Sequence, residues 1–116
     1  MSQFGKRLRE LRKQAGLDQA EVARRLGVSV AHLYALECGR APATVATLQG
    51  LGASIPMTAA ERMGLTDAWS ADNRRFRIEI EDAASRRIVA RLLVDLHHLT
   101  DEDLSGIASI LDRRAA

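Results

Sequence analysis

The sequence predicts a mainly α protein, with a five-helix N-terminal domain followed by a short β-strand and a helical hairpin. Three observations predict it. Only Phe4, Tyr34, Trp69 and Phe76 are aromatic among 116 residues, while 47% are hydrophobic, so the core must be built from Leu, Ile, Val and Ala, which suits helices. Gly16, Gly27 and Gly39 each follow a short amphipathic run, where a left-handed glycine ends a helix. Residues 75–81 then change period, alternating polar and apolar without a fault.

The elements follow in order. Phe4, Leu8, Leu11 and Ala15 mark one face of a first helix over about Gln3 to Ala15, closed by Gly16. Asp18 to Glu21 has the form of a capping box and opens a second helix, Gln19 to Leu26, with Val22, Ala23 and Leu26 inward. Ser29 is placed to cap a third helix, Val30 to Cys38. Only Gly27, Val28 and Ser29 separate these two, which forces a sharp helix-turn-helix crossing. Thr44 can cap a fourth helix to about Leu51, followed by a break from Gly52 to Pro56. Thr58 and Glu61 suggest another capping box and a short fifth helix, about Ala59 to Met63.

The turn-favouring Gly64, Asp67, Ser70, Asp72 and Asn73 put the end of the first domain here. The expected organisation is therefore a domain over 1–65, a linker over 66–74 and a dimerisation region over 75–116. Residues 75–81 read as a half-buried strand with no partner elsewhere in the chain, so pairing with a second copy across a two-fold axis is the expectation. Asp82 can cap a helix from about Ala83 to His98, and Thr100 to Asp103 forms a further capping box before a last helix. The apolar positions Phe76, Ile78, Ile80, Ile88, Leu92, Leu96, Leu104, Ile107 and Leu111 are the expected dimer interface.

Charge narrows the function. The net charge is only +2, but residues 1–40 hold eight Lys/Arg against four acids, residues 41–73 one against three, and residues 74–116 eight against eight. A basic first third suggests an anionic partner for that third alone. A lone cysteine, Cys38, forms no intrachain disulfide, and no stretch reads as a signal peptide or membrane span, so a cytoplasmic setting is expected. No nucleophile–base pair, glycine-rich phosphate loop or zinc-type spacing is present, and the adjacent His97 and His98 point about 100° apart on a helix. No catalytic residue, metal site or cofactor is therefore assigned, and an enzyme is not expected. Scarce aromatics also disfavour a module that stacks single-stranded RNA bases.

Leu8, Leu11-Arg12, Gly16-Leu17-Asp18-Gln19-Ala20-Glu21-Val22-Ala23, Leu26-Gly27-Val28-Ser29, Leu33, Leu36-Glu37, Gly39-Arg40 and Pro42 occur in one register. Through them residues 4–52 resemble the helix-turn-helix domain of the Cro/C1-type (XRE, lambda repressor-like) transcription regulators. The resemblance implies binding of double-stranded DNA, with the third helix in the major groove. It places Val30, Ala31, His32 and Ala35 at base-reading positions. Gln19 matches the family's phosphate-binding glutamine, and Ser29, Tyr34, Arg40, Lys6 and Arg7 are further candidates for phosphate contact. Arg12 and Glu37 match a structural ion pair. The family's usual Gln, Arg, Ser or Asn is missing from the reading helix, so His32 is its one strong hydrogen-bonding group, and Val30 and Ala31 suit thymine methyls. The functional expectation is a dimeric repressor on an inverted-repeat operator, an arrangement compatible with autoregulation. The alternative is an antitoxin or adaptor whose C-terminal region binds another protein.

Overall fold

The computed structural model describes residues 2–115, and the chain divides into two compact units between Arg77 and Ile78. The N-terminal unit holds five helices: α1 (Gln3–Gln14), α2 (Gln19–Leu26), α3 (Val30–Cys38), α4 (Val45–Ser54) and α5 (Ala59–Asp72). Each starts at a side-chain cap, provided in turn by Ser2, Asp18, Ser29, Thr44 and Thr58. Such a cap satisfies one of the free N–H groups of the first turn and contributes about 1 kcal/mol. At Asp18 only half of the expected box is made. Its carboxylate accepts the Glu21 N–H at 2.8 Å, while the Glu21 carboxylate turns to Arg24 and Arg25. The Thr58–Glu61 box is complete, at 3.1 and 2.9 Å.

The core is the apolar faces of all five helices brought together: Phe4, Leu8, Leu11, Val22, Leu33, Leu36, Leu51, Ile55, Leu65 and Trp69. α1 lies at its centre, packed on both α3 and α5. Burying each large aliphatic side chain contributes roughly 1.5–3 kcal/mol, the main force holding the unit. Gly5 is what allows α1 to reach α3, because a Cβ there would stand 2.8 Å from the Leu36 carbonyl oxygen.

Two expectations about helix length are corrected. α4 does not break at Gly52 but runs to Ser54, because Ile55 is buried and pulls the last turn into the core. The Ser54 hydroxyl donates to the Gly50 carbonyl at 2.7 Å, and Arg25 donates to the Ser54 carbonyl at 3.1 Å, so the helix end is satisfied. α5 does not stop near Met63, and residues 66–72, expected to be linker, are its second half. Leu65 and Trp69, one turn apart, anchor that half in the core. Its turn-favouring hydroxyls bond within the helix instead: Thr66 donates to the Arg62 carbonyl and Ser70 to that of Asp67.

Residues 75–81 form no strand, and none occurs among the described residues. A strand needs a ladder partner, which this chain does not supply. Phe76 instead sets its ring 5.1 Å from that of Trp69, tilted by 57°. The C-terminal unit holds α6 (Ala83–Asp95), a 3₁₀ turn (Leu96–His98) and α7 (Asp101–Ala115), capped by Asp82 and by a complete Thr100–Asp103 box. The expected helical hairpin does not form a packed core, since α6 and α7 bury none of their residues and make no extensive contact with each other. A segment this short has too little apolar surface to enclose one. Within the chain the expected interface positions all stay open: Phe76, Ile78, Ile88, Leu96, Leu104 and Leu111 are exposed, and Ile80, Leu92 and Ile107 half-buried.

Candidate nucleic-acid interface

The site is built from α2, the turn after it, and α3. Gly27 ends α2 with φ of 78°, a left-handed conformation that side-chain-bearing residues adopt only at a cost. Its own N–H and that of Val28 both return to the Ala23 carbonyl, at 2.9 and 3.0 Å, and the chain then turns sharply. Ser29 accepts the His32 N–H at 3.0 Å and launches α3 one residue later. Gly39, with φ of 75°, closes it.

Leu33, Leu36 and Glu37 point α3 into the core, so its opposite face must look outward. Val30, at 45% relative exposure, Tyr34, at 49%, and the exposed Ala31 and His32 form that face, while Ala35 and Cys38 are half-buried at its edge. Four of the expected contact residues thus share one protruding first turn and a half of helix. A helix of this size fits the major groove of B-DNA, and the side chains of its first turns meet base edges.

A buried ionic cluster fixes the orientation of α3. The Arg12 guanidinium donates through Nε to Glu37 Oε1 at 2.7 Å and through a terminal nitrogen to the Leu17 carbonyl at 3.0 Å. Arg12 and Glu37 are 7% and 2% exposed, so the expected ion pair is formed in the interior. Gln19 completes it, donating through Nε2 to Glu37 Oε2 at 2.7 Å. One carboxylate therefore ties α1, the start of α2 and the end of α3 together. The Gln19 amide has a second N–H beyond the one given to Glu37, and it sits at the N-terminus of α2, where free backbone N–H groups favour an anion.

Gln19, Glu37, Tyr34, Cys38 and Arg9 line a groove of about 240 Å³. Sequence reasoning missed Arg9. The two basic residues it chose on the first helix, Lys6 and Arg7, lie elsewhere, in a groove beside Gly64 and Ala68 of α5, and Arg7 is paired with Glu10 at 3.1 Å. The neighbouring Cys38 pushes the Tyr34 phenol up from its usual value of 10.0, so the hydroxyl keeps its proton. Arg40 is exposed just beyond Gly39. Together these groups surround α3 with N–H and O–H donors, which suits phosphate oxygens on either side of a groove.

No group of side chains suited to a metal ion occurs among the described residues, and no described helix is long and apolar enough to cross a membrane. No curated protein and no solved structure matches the chain. A match to the helix-turn-helix domain covers residues 3–62, from the start of α1 into α5, just over half of the sequence. With the short glycine turn and the outward face of α3 on the same residues, the chain belongs to the helix-turn-helix domain family, a class of DNA-binding regulators.

Proposed function

We propose that the protein is a sequence-specific, double-stranded DNA-binding regulator of the Cro/C1 (XRE) type, acting in the cytoplasm as a dimeric repressor on an inverted repeat. The observation that carries this reading is the exposed face of α3 held on a rigid scaffold by the Arg12–Glu37–Gln19 cluster. Val30, Ala31, His32 and Ala35 read the bases, with His32 the hydrogen-bonding reader and Val30 and Ala31 on thymine methyls. Gln19, Ser29, Tyr34 and Arg40 hold phosphates near α3, and Arg9, which lines the same groove as Gln19 and Tyr34, joins them from α1.

The dimer rests on the apolar side chains that one chain leaves in water: Ile88 at 63% relative exposure, Leu93 at 64% and Leu111 at 62%. A two-fold then sets the two reading helices one turn of DNA apart, about 34 Å. The same exposed residues favour a second reading, an antitoxin or adaptor that uses its C-terminal unit to grip another protein. Binding-site selection from random duplexes, with mass measurement in solution, tests both. An enriched inverted repeat bound by two chains supports the repressor, whereas a monomer that selects nothing favours the adaptor.

A further inference from the structure

Arg74, Arg75 and Arg77 place three positive charges within four residues directly after a stretch, residues 41–73, that is net acidic. All three are exposed, and none is paired with a carboxylate among the described residues. Of the acids two residues away on either side, Asp72 and Glu79, the first is engaged elsewhere in the domain. Asp72 accepts the backbone N–H groups of Phe4 and Gln3, at 2.9 and 3.4 Å, at the start of α1.

The segment carrying these arginines is anchored. The Phe76 ring packs on Trp69, and the Trp69 indole donates to the Ala43 carbonyl at 2.9 Å. Asn73 donates to the Trp69 carbonyl at 2.7 Å, so the chain leaves α5 in a defined direction. Ala43 lies in the loop after α3, and that loop lines a groove of about 390 Å³. Arg40 is among its lining residues, and so are Trp69, Asp72 and Asn73 from the end of α5. Arg74 therefore directly follows residues that share a groove with Arg40, close to where α3 ends.

We infer that Arg74, Arg75 and Arg77 form a second phosphate-binding arm, which grips the DNA backbone flanking the stretch read by α3. The inference rests on the DNA-binding reading above and adds a contact outside the helix-turn-helix. A guanidinium keeps its charge at any working pH and binds phosphate oxygens in pairs, and an arm already pinned at Phe76 loses less entropy on docking than a free tail.

The test uses the full chain and the triple variant Arg74→Ala, Arg75→Ala, Arg77→Ala. Binding is measured by fluorescence anisotropy on the selected duplex and on a scrambled one, across roughly 50–200 mM salt. The slope of log affinity against log salt should fall in magnitude by about two to three, at about 0.9 for each phosphate no longer neutralised. Affinity should drop by the same factor on both duplexes, and the matching triple lysine variant should restore most of the slope. An unchanged slope with the native chain still binding overturns the arm and leaves the DNA reading standing. A changed preference between the two duplexes also overturns it, since phosphate contacts carry no sequence. So does a loss of dimer mass in the alanine variant, which would make the segment a pairing strand. If the native chain binds neither duplex at low salt, the arm and the DNA reading fall together. The three sites are exposed, so thermal unfolding of the variant should match that of the native chain.

Discussion

The indole N–H of Trp69 donates to the carbonyl of Ala43 at 2.9 Å, tying the last turns of α5 to the loop that follows α3. The bond is buried and spans 26 residues of sequence. Trp69→Phe keeps most of the ring and removes the donor, leaving a buried carbonyl unsatisfied at a cost of about 1–3 kcal/mol. Urea unfolding followed by circular dichroism should show a lower midpoint with an unchanged slope. A midpoint equal to that of the native chain would mean that water replaces the bond without loss.

Gly5 and Gly64 both lie inside helices but should respond oppositely to alanine. A Cβ at Gly5 meets the Leu36 carbonyl oxygen at 2.8 Å and presses on that of Glu37, so Gly5→Ala should push α1 off α3 and cost about 1–3 kcal/mol. Gly64 has nothing within 4 Å, and Gly64→Ala should stabilise α5 by up to about 1 kcal/mol through propensity alone. Thermal unfolding of the two variants checks this, and shifts of the same sign would contradict the close approach of α1 to α3.

The Arg12–Glu37 pair should behave as a unit. Glu37→Leu strands a buried guanidinium, and Arg12→Met strands a buried carboxylate, each costing about 3–5 kcal/mol. The double variant should lose much less than the two single losses added together. Simple additivity in a double-mutant cycle would show that the two residues stabilise the fold independently.

Acid sensitivity should include a contribution from Glu21. Hydrogen bonds from Arg24 and then Arg25 hold its carboxyl down to about 2, from 4.5 in an unpaired chain. The folded value lies below the unfolded one, so this contribution is present above about pH 4.5 and is lost as the pH falls towards 2. Carbon-detected NMR titration should find the Glu21 midpoint well below the ordinary value of 4.5. Glu21→Gln should flatten the fall in stability over that window.

The first three helices were legible in the sequence because their limits are set locally. Ser29 and Asp18 cap starts and the glycines after Leu26 and Cys38 stop ends, so α2 and α3 occupy the expected residues. The later limits depend on distant contacts. Gly52 weakens a helix, but the burial of Ile55 extends α4 past it. Gly64, Asp67 and Ser70 favour turns, but Leu65 and Trp69 gain more from packing against the core than those residues lose. The alternation over 75–81 reports a period and not a partner, so a single chain leaves it irregular. At the site, the family resemblance gave Val30, Ala31 and His32 as reading positions, and the structure turns them outward by burying Leu33 and Leu36. Arg9 was hidden because the first helix carries basic residues around much of its surface, and only the fold shows which of them stands beside Gln19 and Tyr34.

If the outward face of α3 reads base edges while the residues around it hold phosphates, base discrimination and salt dependence should separate by residue. Affinity is measured for the native chain, His32→Ala and Arg40→Ala, on the selected duplex and on single-base variants of it. His32→Ala should erase discrimination at one base pair of each half-site, worth about 1–3 kcal/mol, and Arg40→Ala should weaken every duplex alike with a smaller salt slope. Unaltered discrimination in His32→Ala, together with no dependence on any base opposite α3, would contradict a base-reading role for that helix.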